Sequence, residues 1–482
     1  MSSPAPAELA ARDDEASSRS APKPKLLGLA LAVAVAVLTV MLPAPQGLSP
    51  AAKNLVGIFC LTMILWVTEA IPVAATALLV VVLQPLLQVT TVGAAVSGFM
   101  SPVFLFVIAM FCIAQVVVDS GLARRFALAL LERAGGDSRR VVLAFMVGAS
   151  AMSTVVSDVP VAAVWMSMAL PLLAQAGAEP GRSSLGKALM IGIPVAAFIG
   201  GVGTPAGSSI NILGLHQIEQ FGKVKVSFVQ WMALGMPLVL VLTPLAWLTI
   251  VRCFPPEMQR IGDPEQTRRE RSALGKLGSA ERKVIALLGA MIGLWVASSW
   301  VRAIDTTVVA LAGAVVMFLP GVNLLTWPRA QRTIGWDALL LIGGVTSLAA
   351  AAGSTGLAGA LVSALPDMQF WPIYAVVALL SLVAVLIHLP LPVNPAVVGV
   401  LVPPIALMAL SRGQNPALFG LPVVITASCA MLLPLDAVTV VTYSKGYYRM
   451  TDMVVPGAII SAFWVLLMTA VMTWIAPLVG IS

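Results

Sequence analysis

An almost unbroken apolar run extends from Val141 to Leu173 and carries a polar break at its middle. A helix that crosses a membrane needs about 20 residues, so this run is too long for one simple span. The break reads Ser153-Thr154-Val155-Val156-Ser157-Asp158-Val159-Pro160. An isolated Asp at the centre of an apolar helix costs about 2.5–3.5 kcal/mol on insertion. The run therefore predicts a hairpin whose polar tip lies inside protein or in a wet cavity.

A second interrupted stretch lies in the other half of the chain, from Ala375 to Leu410. Its middle is also polar and broken by proline, and it reads His388-Leu389-Pro390-Leu391-Pro392-Val393-Asn394-Pro395. The separation of Asp158 and Asn394 nearly equals that of two Gly-Leu-Ala triplets, which begin at Gly121 and Gly356. Two halves with matched interrupted segments indicate an inverted repeat with a transport site between them. Two ordinary helices kinked by proline are the alternative, but they leave the matched spacing unexplained.

The composition excludes an ordinary soluble domain, because 59% of the 482 residues are hydrophobic and only 10% are charged. The apolar runs are continuous, whereas the strands of a membrane β-barrel alternate. An all-α polytopic membrane protein is therefore expected. The net charge of +7 indicates no nucleic-acid partner, since the basic residues lie in short loops where they set topology. The four cysteines have no paired spacing, so neither disulfides nor a metal cluster is expected.

The remaining apolar runs predict simple spans near 26–42, 54–70, 72–89, 102–119, 231–250, 284–300, 304–320, 336–353 and 454–476. The hairpins, at 141–175 and 374–411, are followed by interrupted elements at 186–216 and 419–444. The first interrupted element combines several glycines and one proline between residues 200 and 211, which a straight helix does not tolerate. Unwound backbone there frees carbonyls for a cation and N–H groups for an anion. Close packing of glycines between helices is the alternative, but it does not explain the added Thr, Ser and Asn.

Charge in the loops predicts the orientation of the chain. Most Arg and Lys residues lie in loops that are expected to be cytoplasmic, at 121–140, 180–187, 252–283, 325–335 and 445–449. The segment 353–372 holds neither Lys nor Arg and is expected outside. The N-terminus is then cytoplasmic and the C-terminus lies outside. The two hairpins enter from opposite sides, as an inverted repeat requires.

Four stretches carry a resemblance to a family. They are Trp66-Val67-Thr68-Glu69-Ala70-Ile71-Pro72 with Thr76-Ala77-Leu78, Gly200 to Asn211, Ile334-Gly335-Trp336-Asp337-Ala338-Leu339-Leu340-Leu341 with Gly343-Gly344, and Gly446-Tyr447 with Thr451-Asp452-Met453. From about residue 50 to its end, the chain resembles the divalent anion/sodium symporters, which are SLC13-like carriers of di- and tricarboxylates and sulfate. The resemblance implies about 11 transmembrane helices, two re-entrant hairpins and a homodimer in the bacterial inner membrane. It also implies a scaffold domain and a transport domain that moves like an elevator.

Residues 1–24 are rich in Ala, Ser, Pro and charge, which predicts a disordered cytoplasmic tail, and the hydrophilic stretch 252–283 is expected to be a cytoplasmic loop. For the rest of the chain the resemblance implies scaffold helices at 25–119 and 284–353 and transport parts at 120–251 and 354–482. The dimer contact is expected within 54–119 and 284–353. The tips of the two hairpins, at Asp158 and Asn394, are expected to meet near the middle of the membrane.

The resemblance also implies site residues, position by position. The implied substrate ligands are Ser157, Asp158, Val159, Ser208, Ser209, Asn394, Pro395 and Ala437. The implied cation ligands are Ser153, Ser157, Asp158, the Gly207 carbonyl, Asn394 and Asp436. Both tips depart from the Ser-Asn-Thr pattern of the family. At the second tip, Leu389 and Val393 replace hydroxyls and offer nothing to sodium, while Asp436 adds a carboxylate.

Two transport functions remain open on these residues. The first is a secondary carrier of small anions that is coupled to sodium or protons. The second is a cation/proton exchanger that uses the intramembrane Asp158 and Asp436 directly. Burial without a cationic partner favours the protonated carboxyl, so each Asp is a candidate cation ligand or proton carrier. His388 belongs either to a proton path or to the packing, and His216 is expected to be structural.

Other function classes are not expected. With only two histidines, the chain has no His-Glu-x-x-His pair, and it also lacks a Gly-x-Gly-Asp protease motif, so it is not expected to be an enzyme. It contains no phosphate-binding loop for ATP-driven transport and needs no organic cofactor. The expected partners are a small anion, Na⁺ or H⁺ as the coupling ion, and membrane lipid.

Overall fold

The computed structural model of the protein describes residues 22–45, 47–301, 303–364, 371–391 and 393–482. Across these ranges all extended regular structure is helical. Eight of the described helices are long and apolar enough to cross a membrane, and five shorter apolar helices accompany them. The expected class of an all-α polytopic membrane protein is thereby confirmed. The tail that was expected at 1–24 lies, up to residue 21, outside the described residues.

Eleven helices occupy the first part of the chain. They are α1 (Pro22–Met41), α2 (Pro50–Thr68), α3 (Val73–Leu86), α4 (Val92–Ser97), α5 (Pro102–Asp119), α6 (Leu122–Ala134), α7 (Ser138–Ser153), α8 (Asp158–Gln175), α9 (Ser184–Gly201), α10 (Ser209–Gly222) and α11 (Phe228–Cys253). The described part of the second half contributes α12 (Pro264–Ala273), α13 (Ser279–Ala297), α14 (Thr306–Phe318), α15 (Trp327–Thr333), α16 (Trp336–Ser354), α17 (Leu357–Ala364), α18 (Ile373–Leu386), α19 (Asn394–Ser411), α20 (Pro416–Ala427), α21 (Ala437–Tyr443) and α22 (Val454–Trp474).

The long apolar run that begins near Val141 is split into two helices. Asp137 caps the start of α7 by accepting a hydrogen bond from the Arg140 backbone N–H at 2.9 Å. The helix ends at Ser153, and α8 begins at Asp158 after a short non-helical tip. Pro160 causes no break, because the first turn of a helix has no backbone N–H that needs an intrahelical partner. The helices α7 and α8 pack against each other and form the first hairpin.

Two helical stretches of the chain are interrupted by non-helical backbone. Between α9 and α10 the backbone forms a 3₁₀ turn at Pro205–Gly207, and between α20 and α21 it is non-helical. The side-chain amide of Asn211 donates from Nδ2 to the carbonyls of Gly201 at 2.7 Å and Thr204 at 2.9 Å. These bonds satisfy carbonyls that the end of α9 leaves without an intrahelical partner. The unwound segment is therefore held in one shape by a side chain of the next helix.

Small residues allow close approach at the helix contacts around the first hairpin. A Cβ added at Gly200 of α9 would lie 2.0 Å from the backbone oxygen of Ser150 in α7. A Cβ added at Gly148 would lie 1.9 Å from the Trp165 ring of α8. Since real Cβ atoms do not approach neighbours so closely, only glycine fits at these two positions. The hairpin is thus packed backbone against backbone on α9, which fixes its tip beside the unwound segment.

The same kind of contact joins two sequence stretches on which the family resemblance rests. A Cβ on Gly344 of α16 would lie 3.0 Å from the Cβ of Ala77 in α3. A third such stretch, at 446–453, contacts the start of α9. Its Asp452 pairs with Lys187 at 2.9 Å, and the ring of its Tyr447 packs on Gly186. Three of the four stretches that carry the resemblance are therefore contact points between distant parts of the chain.

The charged segment at 252–283, for which the sequence predicts a loop, contains the helix α12. The helix α12 is polar all round and docks on the amphipathic helix α6. Arg124 pairs with Glu270 at 3.5 Å, and Arg271 pairs with Glu132. Arg125 makes a two-pronged bond to Glu281, with its Nε atom 2.6 Å from Oε1 and an Nη atom 3.1 Å from Oε2. Ion pairs attach the polar helix α12, while Ile261 of the preceding stretch is buried in the core and donates its backbone N–H to the Gly136 carbonyl at 2.8 Å.

We expect the substitution Gly200→Ala to reduce the amount of folded protein and its melting temperature. The added methyl group would clash with the backbone of Ser150, and overpacking of this kind costs ~1–3 kcal/mol or more. Thermal unfolding in detergent, followed by size-exclusion chromatography, measures the change.

The matched control for this test is Gly289→Ala on α13, where a Cβ would meet no atom within 4 Å. This variant should melt at the same or a higher temperature, because alanine has the higher helix propensity. Equal melting temperatures for Gly200→Ala and the unchanged protein would contradict the described packing of α7 on α9.

Candidate functional site

The first hairpin tip places a carboxylate at the start of a helix. Asp158 is the first residue of α8 and its side chain is only 6% exposed. Its Oδ1 atom accepts hydrogen bonds from the backbone N–H of Val159 at 3.1 Å and from the Ser157 hydroxyl at 3.3 Å. Negative charge at a helix N-terminus is stabilised by the helix dipole. The tip can therefore hold a buried acid without a Lys or Arg partner.

Three oxygen atoms, two from the first hairpin and one from the unwound segment, converge beside Gly201. A Cβ placed on Gly201 would lie 3.6 Å from Ser153 Oγ, 3.6 Å from the Gly207 carbonyl oxygen and 3.7 Å from Asp158 Oδ2. Ser153 is fully buried, and its hydroxyl has no hydrogen-bond partner among the described residues. A hydroxyl, a carbonyl and a carboxylate are the ligands that hard cations prefer. We call Ser153, Asp158 and Gly207 the oxygen cluster.

The unwound segment is fixed to the tip by further hydrogen bonds. The Thr204 hydroxyl donates to the Thr154 carbonyl at 2.5 Å, and the Ser208 hydroxyl donates to Asp158 Oδ2 at 3.5 Å. The indole N–H of Trp231, on α11, donates to the Val202 carbonyl at 2.8 Å. The oxygen cluster is therefore part of a hydrogen-bonded frame, which is the condition for holding a cation at fixed distances.

The second tip is built around a histidine instead of hydroxyls. His388 is 6% exposed, and its ring nitrogens lie 2.6 Å from the Ala384 carbonyl oxygen and 3.0 Å from that of Ala427. The Asn394 side chain, which opens α19, also contacts this ring. Asn394 is 2% exposed, and its Oδ1 atom has no hydrogen-bond partner among the described residues. The second tip thus presents one amide oxygen and no hydroxyl.

The second interrupted element brings Asp436 to the same region. Asp436 caps α21, its Oδ1 atom accepts from the Val438 backbone N–H at 2.9 Å, and the residue is 8% exposed. It lines a small cavity together with His388 and Leu389 of the second tip. The helix that it caps, α21, packs against α9 and against α8, whose first residue is Asp158. The second tip, the second unwound segment and the acid of the first tip therefore lie together, although they are distant in sequence.

The structure distributes the residues implied by the family resemblance unevenly. Ser153, Asp158 and Gly207 converge, with Ser208 adjacent. The Ser157 hydroxyl bonds to Asp158, and Val159 contributes its backbone N–H. The rest of the set differs in exposure: Asn394 and Asp436 are buried, Ser209 and Pro395 are half-buried, and Ala437 is exposed. Neither Lys nor Arg occurs in the two tips or the two unwound segments.

Two residues of the site were missed from the sequence. Gly201 supplies the open space beside the three oxygens, and Asn211 holds the carbonyls of the unwound segment. The sequence does hint at Gly201, because it adjoins Gly200 and the packing of α9 on α7 needs only Gly200. Asn211 was visible as a polar residue in an apolar helix, but its target carbonyls follow only from the three-dimensional turn.

Comparison with other proteins agrees with this architecture. A family model described as the sodium:sulfate symporter transmembrane region matches residues 23–481. The sodium-dependent dicarboxylate transporter SdcS of Staphylococcus saprophyticus is 26% identical, over 90% of this chain and 87% of its own. The sodium-dependent high-affinity dicarboxylate transporter 3 of Caenorhabditis elegans is 25% identical, over 87% of this chain and 82% of its own.

Two solved structures share the fold at low sequence identity. The crystal structure of the Alcanivorax borkumensis YdaH transporter has a TM-score of 0.53 and 15% identity, covering 94% of this chain and 97% of its own. The structure of Neisseria gonorrhoeae MtrF, from a class of antimetabolite efflux pumps, has a TM-score of 0.53 and 12% identity, covering 95% and 96%. At such identities these structures establish the transporter fold alone.

We expect Gly201→Ala to weaken cation binding while leaving the protein folded. The new methyl group would lie in ordinary van der Waals contact with all three atoms of the oxygen cluster and would restrict the space between them. Thermal stabilisation by added Na⁺ measures binding, since a ligand that binds only the folded state raises its stability. The shift seen for the unchanged protein should shrink or vanish.

Gly293→Ala on α13, where a Cβ meets open space, is the matched control and should keep the full Na⁺ shift. A full shift in Gly201→Ala as well would show that the cation binds elsewhere.

Proposed function

Because this chain belongs to the sodium:sulfate symporter family, we propose that it is a secondary active transporter of small anions of the dicarboxylate, tricarboxylate or sulfate class. Membership places the chain among transporters and not among enzymes. Sodium, protons or both couple the transport. The observation that carries the proposal is the oxygen cluster, which joins a hairpin tip to an unwound helix at a site without Lys or Arg.

The proposed mechanism is alternating access by an elevator movement. The same order of two consecutive helices followed by a broken helix occurs twice, as α7–α8 with α9–α10 and as α18–α19 with α20–α21. This order supports an inverted repeat of about 11 membrane helices with two re-entrant hairpins. The segments 120–251 and 354–482 then form the moving part. The segments 25–119 and 284–353 form the scaffold and the dimer contact.

The charges of the site give sodium its role in the mechanism. Asp158 and Asp436 would both repel a dianion, and no basic side chain offsets them in the tips and unwound segments. A sodium ion at the oxygen cluster neutralises Asp158. The N-termini of α8 and α10 then present backbone N–H groups to the anion. Sodium therefore binds first, and the anion follows.

The second cation site of the family is lost in this proposal. The residues at its hydroxyl positions are Leu389 and Val393, and neither can coordinate sodium. In place of a second sodium ion, a proton neutralises Asp436. Asp436 is buried, and neither Lys nor Arg occurs in the tips and unwound segments to offset its charge.

The alternative function is a cation/proton exchanger of the same superfamily. The observation that favours it is the packing of α21, which Asp436 caps, on α8, which Asp158 begins, since two such acids could pass cations without any anion. An exchanger would carry current or protons in the absence of transported anion, whereas an anion carrier would not.

Uptake into proteoliposomes tests the proposal. The purified protein is reconstituted, and labelled succinate, citrate and sulfate are offered with an inward gradient of Na⁺, of protons or of neither. Uptake of at least one anion that depends on the Na⁺ gradient is the expected result. Cation–proton exchange in the absence of all three anions would favour the alternative.

The two acids should separate the two couplings. We expect Asp158→Asn to weaken the sodium dependence of uptake, because an amide offers a dipole where the carboxylate offers full charge. Asp436→Asn should remove the pH dependence of uptake and leave sodium dependence largely intact. Initial rates over a range of Na⁺ concentration and pH check both.

The coupling scheme fails if both variants retain the sodium and pH dependence of the unchanged protein. It also fails if a structure shows sodium at both hairpin tips. The exposed Asp337 at the start of α16 supplies a control, and Asp337→Asn should change neither dependence.

A further inference from the structure

Two of the chain's connections between the moving part and the scaffold of the proposed mechanism lie side by side. The helix α6 follows α5 of the scaffold and leads into α7 of the first hairpin. The helix α12 lies between α11 of the moving part and α13 of the scaffold. Because α12 docks on α6, a change in the position of one connection acts on the other.

The contact between the two helices is made by charges of opposite sign. Arg124 of α6 pairs with Glu270 of α12 at 3.5 Å, and Arg271 of α12 pairs with Glu132 of α6. These four side chains are between 30% and 64% exposed, and no residue of α12 is buried. Salt screens the attraction between exposed charges. The attachment of α12 to α6 therefore weakens as the ionic strength rises.

A less exposed arginine of α6 joins the end of α12 to the start of α13. The Arg125 guanidinium donates to the carbonyl oxygens of Leu274 at 3.1 Å and Gly275 at 2.9 Å, where α12 ends. It also makes the two-pronged bond to Glu281, and the two side chains are 22% and 10% exposed. Glu281 in turn accepts from the Gly278 backbone N–H at 2.6 Å. One residue of α6 thus ties α12 to a scaffold helix.

The chain before α12 is bound to the start of the first hairpin. The Ser138 backbone N–H donates to the Gln259 carbonyl at 3.1 Å, and that of Ile261 donates to the Gly136 carbonyl at 2.8 Å. Gly136 and Gly262 have φ angles of 77° and 72°, which glycine adopts without steric cost. The two connections therefore turn beside each other, and a shift of α12 is passed to the hairpin.

We propose that α12 is a brace that holds α6 in place, and that the rate of transport falls when rising ionic strength loosens the ion pairs between the two helices. The inference rests on the proposed function and adds a regulatory device to it. With α12 attached, α6 and the start of the first hairpin are held to the scaffold through Arg125 and Glu281. When α12 detaches, α6 loses this support and transmits the movement of the hairpin less rigidly, which slows transport.

Sodium-driven uptake and hydrogen exchange are measured at fixed Na⁺ while choline chloride raises the ionic strength from about 0.05 M to about 0.5 M. Uptake is followed in proteoliposomes with labelled succinate, citrate and sulfate. Exchange of the backbone amides of 264–275 is followed by mass spectrometry. The added salt should speed this exchange and slow uptake, each by about two- to fivefold, because an exposed ion pair contributes a factor of this size.

A charge swap assigns the effect to the ion pairs. Arg271→Glu places two acids opposite each other, so exchange in α12 should be faster and uptake slower already at low salt, and added salt should change both less. Combining it with Glu132→Arg restores a pair of opposite charges and should restore both rates and their salt dependence. Arg133→Gln is the matched control, because Arg133 bonds to the Ala129 carbonyl of its own helix, and it should behave like the unchanged protein.

Hydrogen exchange in α12 that does not respond to salt would overturn the inference. Uptake that has the same salt dependence in Arg271→Glu as in the unchanged protein would overturn it too, as would a charge swap that restores neither rate. The proposed function is judged separately. Salt-sensitive exchange that the charge swap restores supports the brace even when none of the three anions is taken up, and that result would count against the proposed function alone.

Discussion

The burial of the Asp158 carboxylate against an unwound stretch of α9–α10 is the interaction on which the rest of the site depends. A charge at this depth is tolerated because it begins a helix and receives hydrogen bonds from Ser157 and Val159. Its other oxygen, Oδ2, accepts only a long hydrogen bond from Ser208 at 3.5 Å and lies with Ser153 Oγ and the Gly207 carbonyl around Gly201. The tip therefore stores negative charge in a geometry that a cation can complete.

Contacts elsewhere in the fold hold the residues around Asp158 in position. Glycine contacts join α7 to α8 and to α9, and Asn211 fixes the carbonyls of the unwound segment. The second half contributes α21, which Asp436 caps and which packs against α8. The tips and unwound segments contain Asp158 and Asp436 but neither Lys nor Arg, so the protein itself supplies no basic residue there to neutralise the two acids. Each acid then needs a mobile cation, which in the proposed mechanism is sodium at the first acid and a proton at the second.

Much of this was predictable from the sequence where the signal is local. The apolar runs interrupted at Asp158 and Asn394 indicated the hairpins, and the glycines after Gly200 indicated the broken helix. What could not be predicted depends on tertiary contacts. The space beside Gly201 and the shared cavity of His388 and Asp436 join segments that are far apart in the chain. The helix α12 was hidden because its stability comes from ion pairs with α6, which leave no apolar periodicity.

The number of sodium ions that cross with each substrate molecule tests the central claim most directly. Reversal potentials of uptake into proteoliposomes, measured with a simple dicarboxylate at several imposed Na⁺ gradients, give this number. The account predicts one sodium ion per substrate, because Ser153, Asp158 and Gly207 form an oxygen cluster while the hydroxyl positions of the second tip hold Leu389 and Val393. A ratio of two or more would show that the second tip also binds sodium and would contradict the account.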